Sequence, residues 1–312
     1  MDFVGKRNFN FINNRRLVYM ISALIILVGI ISIIFQGFNY GIDFAGGTIL
    51  QIKFDEPVSI EEVRNNLGEF NLSSSTIQDL SDTEFIIRTE KIDQEKRKEI
   101  LSTFRDKIAD LELLRVETVG PVIGENLKKT ALYAILFAFV GIIIYITVRF
   151  EFRYSIISIL ALSHDCLVVL GIFSLFQKEI TIPIIAAVLT IVGYSLNNTI
   201  VILDRLRENI KFKTRESFEN IVNLSINQSL SRTINTALTT VLPVLAIYFF
   251  GGSILSDFAL ALFIGMVAGT YSSIFIASPL LVDWRNISKE KHRHGQTAKE
   301  KVKKTKRKTK GK

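Results

Sequence analysis

His164-Asp165 and the pair Asn197-Asn198 stand inside long apolar stretches of this sequence, and Arg232 stands at the edge of another. Ionisable residues in such places are rare, energetically expensive and tied to function by default. A carboxylate there can take up and release a proton if its surroundings alternate. Asparagine cannot titrate, but it can hydrogen-bond, and its carbonyl oxygen can ligate a cation such as sodium. Asp165 lies near the middle of the apolar run 154–176, deeper than any other carboxylate. Two readings stay open for it: a proton carrier, or a structural acid hydrogen-bonded to a neighbouring helix through His164. Tyr194, Ser195, Asn197, Asn198 and Thr199 form a polar belt in the run 180–203, with 194/198 and 195/199 one helical turn apart.

The elements that position these groups are membrane helices. Nearly half of the 312 residues are hydrophobic. Six apolar runs, 17–36, 131–148, 154–176, 180–203, 233–251 and 256–282, each fit the roughly 20 residues a helix needs to cross a bilayer. The first reads as an uncleaved anchor, because its core is too long for a signal peptide and Phe35-Gln-Gly-Phe-Asn39 offers no small-residue cleavage site. Lys6, Arg7, Arg15 and Arg16 precede it, and Arg149, Arg153, Arg205, Arg207, Lys211, Lys213, Arg215 and Arg232 fall in the loops 149–153 and 204–232. The segment 37–127 holds 10 Lys+Arg against 18 Asp+Glu, and the tail 285–312 holds 13 against 2. The positive-inside rule then puts both termini in the cytoplasm and the acidic segment outside. The overall charge of +8 belongs to the tail. That tail reads as a disordered basic arm near anionic headgroups, with no nucleic acid expected as a partner. Cys166 is the single cysteine, so no internal disulfide forms and no metal cluster is expected.

Residues 37–128 read as a separate polar domain between the first two spans. Strand patterns at 48–54, 75–79, 84–89 and 113–119 alternate with helices at 59–70 and 92–111, the first opened by the capping box Ser59-Ile-Glu-Glu62. This β-α-β-β-α-β order predicts an α+β ferredoxin-like fold, which says little about activity by itself. The segment has no His and no Ser/His/Asp set. A polypeptide-contacting module fits better than an enzyme, and no cofactor is implied. Gly46-Gly47 with Asp43, and Gly120-Pro121, read as the two connectors joining this domain to the membrane, the second as a hinge.

GIDFAGG at 41–47, VGPVIG at 119–124, SHD at 163–165, GYSLNNT at 193–199, DRLREN at 204–209 and SRTINTALTT at 231–240 occur in one order with six spans. The ordered set resembles the SecF family of the bacterial Sec protein-export machinery, within the resistance–nodulation–division superfamily. The resemblance implies a cytoplasmic-membrane protein that forms a heterodimer with a SecD-like subunit. It implies work beside the SecY channel on exported polypeptide, driven by an ion gradient such as the proton motive force. It also implies an Asp at the position of Asn198, linked to proton movement and paired with the Arg matched by Arg232. Here the Asp is absent, so the titrating group is Asp165 or a partner's Asp, or the coupling ion is sodium. Arg232 then has Asp165 or a partner's Asp as its counter-ion, or is simply a cytoplasmic-boundary cation. Asp204, Arg205, Arg207 and Glu208 read as an interfacial salt-bridge cluster. Gly265, Gly269, Ser272 and Ser273 read as close helix packing, and Trp284-Arg285 as an interfacial anchor. The alternative function is small-molecule efflux, disfavoured by an outside domain of only about 90 residues.

Overall fold

The structure is a computed structural model and describes residues 8–213 and 215–287, so Lys6, Arg7 and the basic tail beyond 287 lie outside the described residues. Six helices are long and apolar enough to cross a membrane. They are α1 (Arg15–Gln36), α5 (Pro121–Arg149), α6 (Phe152–Leu175), α7 (Ile182–Phe212), α8 (Phe218–Phe250) and α9 (Gly252–Ser272). The last continues through a π-helical turn, Ser273–Ala277, to Ile287.

Two boundaries differ from the sequence-based expectation. The stretch expected to be a hinge at 119–124 begins α5, with Gly120 as N-cap and Pro121 in the first turn. Proline fits there because its missing N–H has no helical acceptor to lose and its φ is preset. The expected loop 204–232 is mostly helix: α7 runs on to Phe212 and α8 starts at Phe218, capped by Ser217. Arg232 therefore sits within a helix rather than in a boundary loop. Inside α7, Asp204 pairs with Arg149 at 3.3 Å, and Arg205 pairs with Glu208.

Between α1 and α5 lie β1 (Asn39–Tyr40), α2 (Ile42–Ala45), β2 (Gly47–Phe54), α3 (Ile60–Gly68), β3 (Thr76–Asp79), β4 (Glu84–Thr89), α4 (Gln94–Lys107) and β5 (Leu111–Val119). The strands form an antiparallel sheet in the order β3-β4-β2-β5. The Ser59/Glu62 capping box closes in both directions, satisfying two orphan donors at the start of α3. Alternate residues Leu50, Ile52 and Phe54 of β2 point to one face and bury against Val63, Leu67, Ile100 and Phe104 of the two helices. This core is separate from those of the helix bundle.

The sheet-bearing segment is tied to the bundle at the start of α7. β1 pairs in parallel with β6 (Glu179–Ile180), the two-residue strand just before α7. Short α2 then turns the chain into the sheet. Gly46 and Gly47 take φ of +76° and +141°, and a Cβ on Gly47 would lie 2.5 Å from the Thr89 carbonyl oxygen. Only glycine fits that second position, both for its backbone angle and for the approach of β4.

Candidate functional site

Asp165 sits where α6, α7 and the end of α9 meet, with 1 % of its surface exposed. Its Oδ2 accepts hydrogen bonds from Ser195 Oγ of α7 at 2.6 Å and Ser272 Oγ of α9 at 2.8 Å. Its Oδ1 lies 3.0 Å from His164 Nδ1. His164 stacks on Tyr271, and its Nε2 is buried without a partner among the described residues. By accepting from α7 and α9, the acid on α6 pins three helices together.

Helical spacing explains why these serines converge. Gly265, Gly269 and Ser272 fall on one face of α9, and the two glycines let α7 come close enough for Ser195 to reach the acid. The π-helical turn Ser273–Ala277 follows at once, and the Ser278 hydroxyl donates to the Ser273 carbonyl. Ser272 and Ser273 are both buried, and Ser273 Oγ lies 2.9 Å from Thr199 Oγ1. Such bulges cluster at functional positions because they re-aim side chains.

The two asparagines part company. Asn198 is 2 % exposed, and its Nδ2 has no partner among the described residues. A buried amide donor left unpaired costs about 1–3 kcal/mol. Asn197 points out of the bundle, in line with Ala186, Thr190 and Gly193, all exposed along one stripe of α7. Arg232 is exposed on α8, next to the buried Thr233. It makes no ion pair among the described residues. The pairing of Arg232 with Asp165 inside this chain is therefore not formed, because α8 packs chiefly on α7 and α9 while the acid hangs from α6.

The connector residues form a second polar cluster. Asp43 Oδ2 accepts from the Ile182 N–H at 2.9 Å, tying α2 to the first residue of α7. Arg88 Nε of β4 lies 2.8 Å from Glu179 Oε1, an ion pair whose angle falls outside hydrogen-bond geometry. Asp43, Arg88, Arg115, Glu117, Glu179 and Asp257 line a cavity of about 290 Å³ between the sheet and the bundle. Burial pushes the Glu179 carboxyl above the ordinary glutamate range; Arg88 opposes this, and Asp257 and Asp43 add to it. With the folded pKa raised, the stabilisation is complete below the ordinary glutamate value and is lost as pH rises through the folded one. Glu179→Gln is expected to flatten that part of the stability–pH curve, measured by thermal unfolding in detergent between pH 4 and pH 8. An unchanged slope would remove Glu179 as its source.

Residues 99–287, more than half of the chain, match the family described as protein export membrane protein SecD/SecF, C-terminal, and residues 31–58 match the SecD/SecF GG motif. The protein translocase subunit SecF of Desulfurispirillum indicum is 42 % identical over 286 residues, covering 88 % of this chain and 91 % of that protein. The protein translocase subunit SecDF of Thermus thermophilus is 42 % identical over 89 % of this chain but only 39 % of its own length. A crystal structure of SecDF from Thermus thermophilus, titled a translocon-associated membrane protein, superposes with a TM-score of 0.84 at 41 % identity. It covers 91 % of this chain and 40 % of the solved one. The ordered motifs, the six-helix bundle and these matches agree: this chain is a multi-pass membrane protein of the SecD/SecF protein-export family, on its SecF side.

Proposed function

We propose that this chain is the SecF half of an accessory unit of the Sec export machinery, a non-enzymatic subunit that couples an ion gradient to late movement of polypeptide across the bacterial cytoplasmic membrane. The observation that carries the coupling is Asp165, a carboxylate buried between three apolar helices and held by two hydroxyls and an imidazole. Structural anchoring alone would not call for an ionisable group at that depth.

A SecD-like subunit supplies the other half. The support is the stripe Ala186, Thr190, Gly193 and Asn197 on α7 with Arg232 and Thr239 on α8, small and polar groups left on the outer face of apolar helices. Lipid satisfies neither an amide nor a guanidinium, whereas a second helical bundle does. Arg232 then finds its carboxylate in that partner. The SecDF relatives, which carry both names in one chain more than twice as long, accord with this assembly.

The segment 37–128 is a ferredoxin-like domain on the extracytoplasmic side, where exported polypeptide leaves the SecY channel. Its strand order and its two helices on one face support the fold. Its charge, 11 Lys+Arg against 18 Asp+Glu, and the cations at the other end of the helices support the side, with both termini cytoplasmic. Sodium is the second reading of the coupling ion. Asn198 favours it, because among the described residues no acceptor fixes its Nδ2, and an amide carries an oxygen able to ligate a cation.

The test is depletion of the chain in cells, followed by pulse-chase of a secreted precursor. Precursor is expected to persist and to mature again when the native chain is restored. Unchanged maturation on depletion would overturn the export role.

A further inference from the structure

At the end of the bundle remote from the sheet, Glu151, Arg153, Tyr154, Ile210, Phe218, Leu281, Trp284 and Arg285 enclose a cavity of about 210 Å³. Arg153 and Arg285 make no ion pair with a carboxylate among the described residues, and Arg285 instead lies over the Phe218 ring at 4.1 Å. The charges of Arg285, Arg207 and Arg153 all act on the Tyr154 hydroxyl, against the single carboxylate of Glu151. Of these, Arg153 and Arg285 line the cavity with Glu151, two cations against one anion, which leaves one excess positive charge at a small opening.

We propose that this cavity is a binding site for the phosphodiester headgroup of an anionic phospholipid. Arginine matches phosphate oxygens with a planar fork of donors, and the net charge favours a lipid that keeps its own negative charge over a zwitterionic one. The remaining wall argues for lipid rather than a soluble phosphate. Ile210, Phe218 and Leu281 present apolar surface for glycerol and the upper acyl chain, and Tyr154 and Trp284 are of the types that occupy the membrane–water boundary. Basic pockets between the ends of membrane helices bind such headgroups by this combination. The site draws on four helices at once, with residues from the starts of α6 and α8, the end of α7 and the final turns after the π-helical stretch. A lipid seated there would hold those ends together.

The experiment uses the full chain in nanodiscs of phosphatidylcholine into which phosphatidylglycerol is titrated, with native mass spectrometry counting retained lipid and thermal unfolding reporting stability. Phosphatidylglycerol is expected to bind and to raise the unfolding temperature. The double variant Arg153→Gln/Arg285→Gln is expected to bind it about thirtyfold more weakly. Arg153→Lys/Arg285→Lys keeps the charge and is expected to lose only part of that affinity, which guards against a variant that simply misfolds. Lys128→Gln, at the opposite end of the bundle, should bind as the native chain does. Equal binding of phosphatidylcholine, or native affinity in the double glutamine variant, would overturn the proposal. So would saturation by free glycerophosphate at the same concentrations, which would make the site one for a soluble anion.

Discussion

Asp165→Asn is expected to leave the bundle folded and to fail in restoring export to cells depleted of the native chain. Asparagine has the shape of the acid, and its oxygen in the place of Oδ2 still accepts from both the Ser195 and the Ser272 hydroxyl. Its NH2 replaces an acceptor by a donor, however, so about one hydrogen bond is lost, at roughly 1 kcal/mol. What it cannot do is change charge. Asp165→Ala is expected to act differently. It leaves the Ser195 and Ser272 hydroxyls and His164 Nδ1 facing an empty acceptor position, at about 1–3 kcal/mol for each group that finds no new partner. Thermal unfolding in detergent, beside pulse-chase maturation of a secreted precursor, separates the two effects. Full rescue by Asp165→Asn would make the acid a structural clamp and move the coupling chemistry to the partner. Asn198→Asp, tested in the same cells at high and low external sodium, shows whether the neutral residue sets the choice of ion.

Gly269→Val is expected to be the most damaging single change to the packing of the bundle. A Cβ at Gly269 would stand 2.7 Å from Ser195 Cβ and 3.2 Å from Ser195 Cα, and the backbone of α7 cannot give way without moving the whole helix. One turn earlier, a Cβ at Gly265 would meet Ile191 Cδ1 at 2.2 Å, in the fully buried core between α7 and α9. Overpacking of this kind costs about 1–3 kcal/mol for small insertions and more for a branched one. The Ser195–Asp165 hydrogen bond goes with it, because the added carbon pushes that serine off the acid. Gly269→Ala should fall between native and Gly269→Val. Gly141→Ala, where an added carbon meets nothing within 4 Å, should be close to neutral. Protease resistance and unfolding temperature in detergent rank the series. A stable Gly269→Val would mean that α7 and α9 are not held at this distance.

Hydropathy and alternation made much of this architecture legible. Apolar runs located all six helices, and the strand at 84–89 and the Ser59/Glu62 capping box stand where their patterns put them. The ends of the helices were less visible. α8 begins 15 residues before its apolar run because Asn220, Asn223, Asn227 and Gln228 are polar. They bind other protein groups instead of lipid: Asn223 and Asn227 grip the backbone of Phe9 and Phe11, and Gln228 takes Asn209 and Arg205. Hydropathy measures contact with lipid and not helicity. The candidate site was half legible. Asp165 stood out as a charge in oil, yet its partners Ser195 and Ser272 are 30 and 107 residues away, and only the fold brings them together. The 265/269/272 spacing was the available signal for Ser272. The β1–β6 pairing rests on two residues from each strand, too short for any periodicity to register.

That pairing has a mechanical consequence. Besides packing of α2 on α5, the sheet-bearing segment is fastened by β6, by Arg88 on Glu179 and by Asp43 on the Ile182 amide, all at one tip of α7. Ser195 and Asn198 ride on the same unbroken helix, about 20 Å further along for 13 residues. α7 therefore joins the attachment point of the sheet to the acid's Ser195 partner in one continuous helix. A tilt of about 10° around Ser195 would carry the attached sheet roughly 3.5 Å sideways. Because α7 is one unbroken helix, such a tilt would move the Ser195 partner of Asp165 and the attachment point of the sheet as parts of one rod.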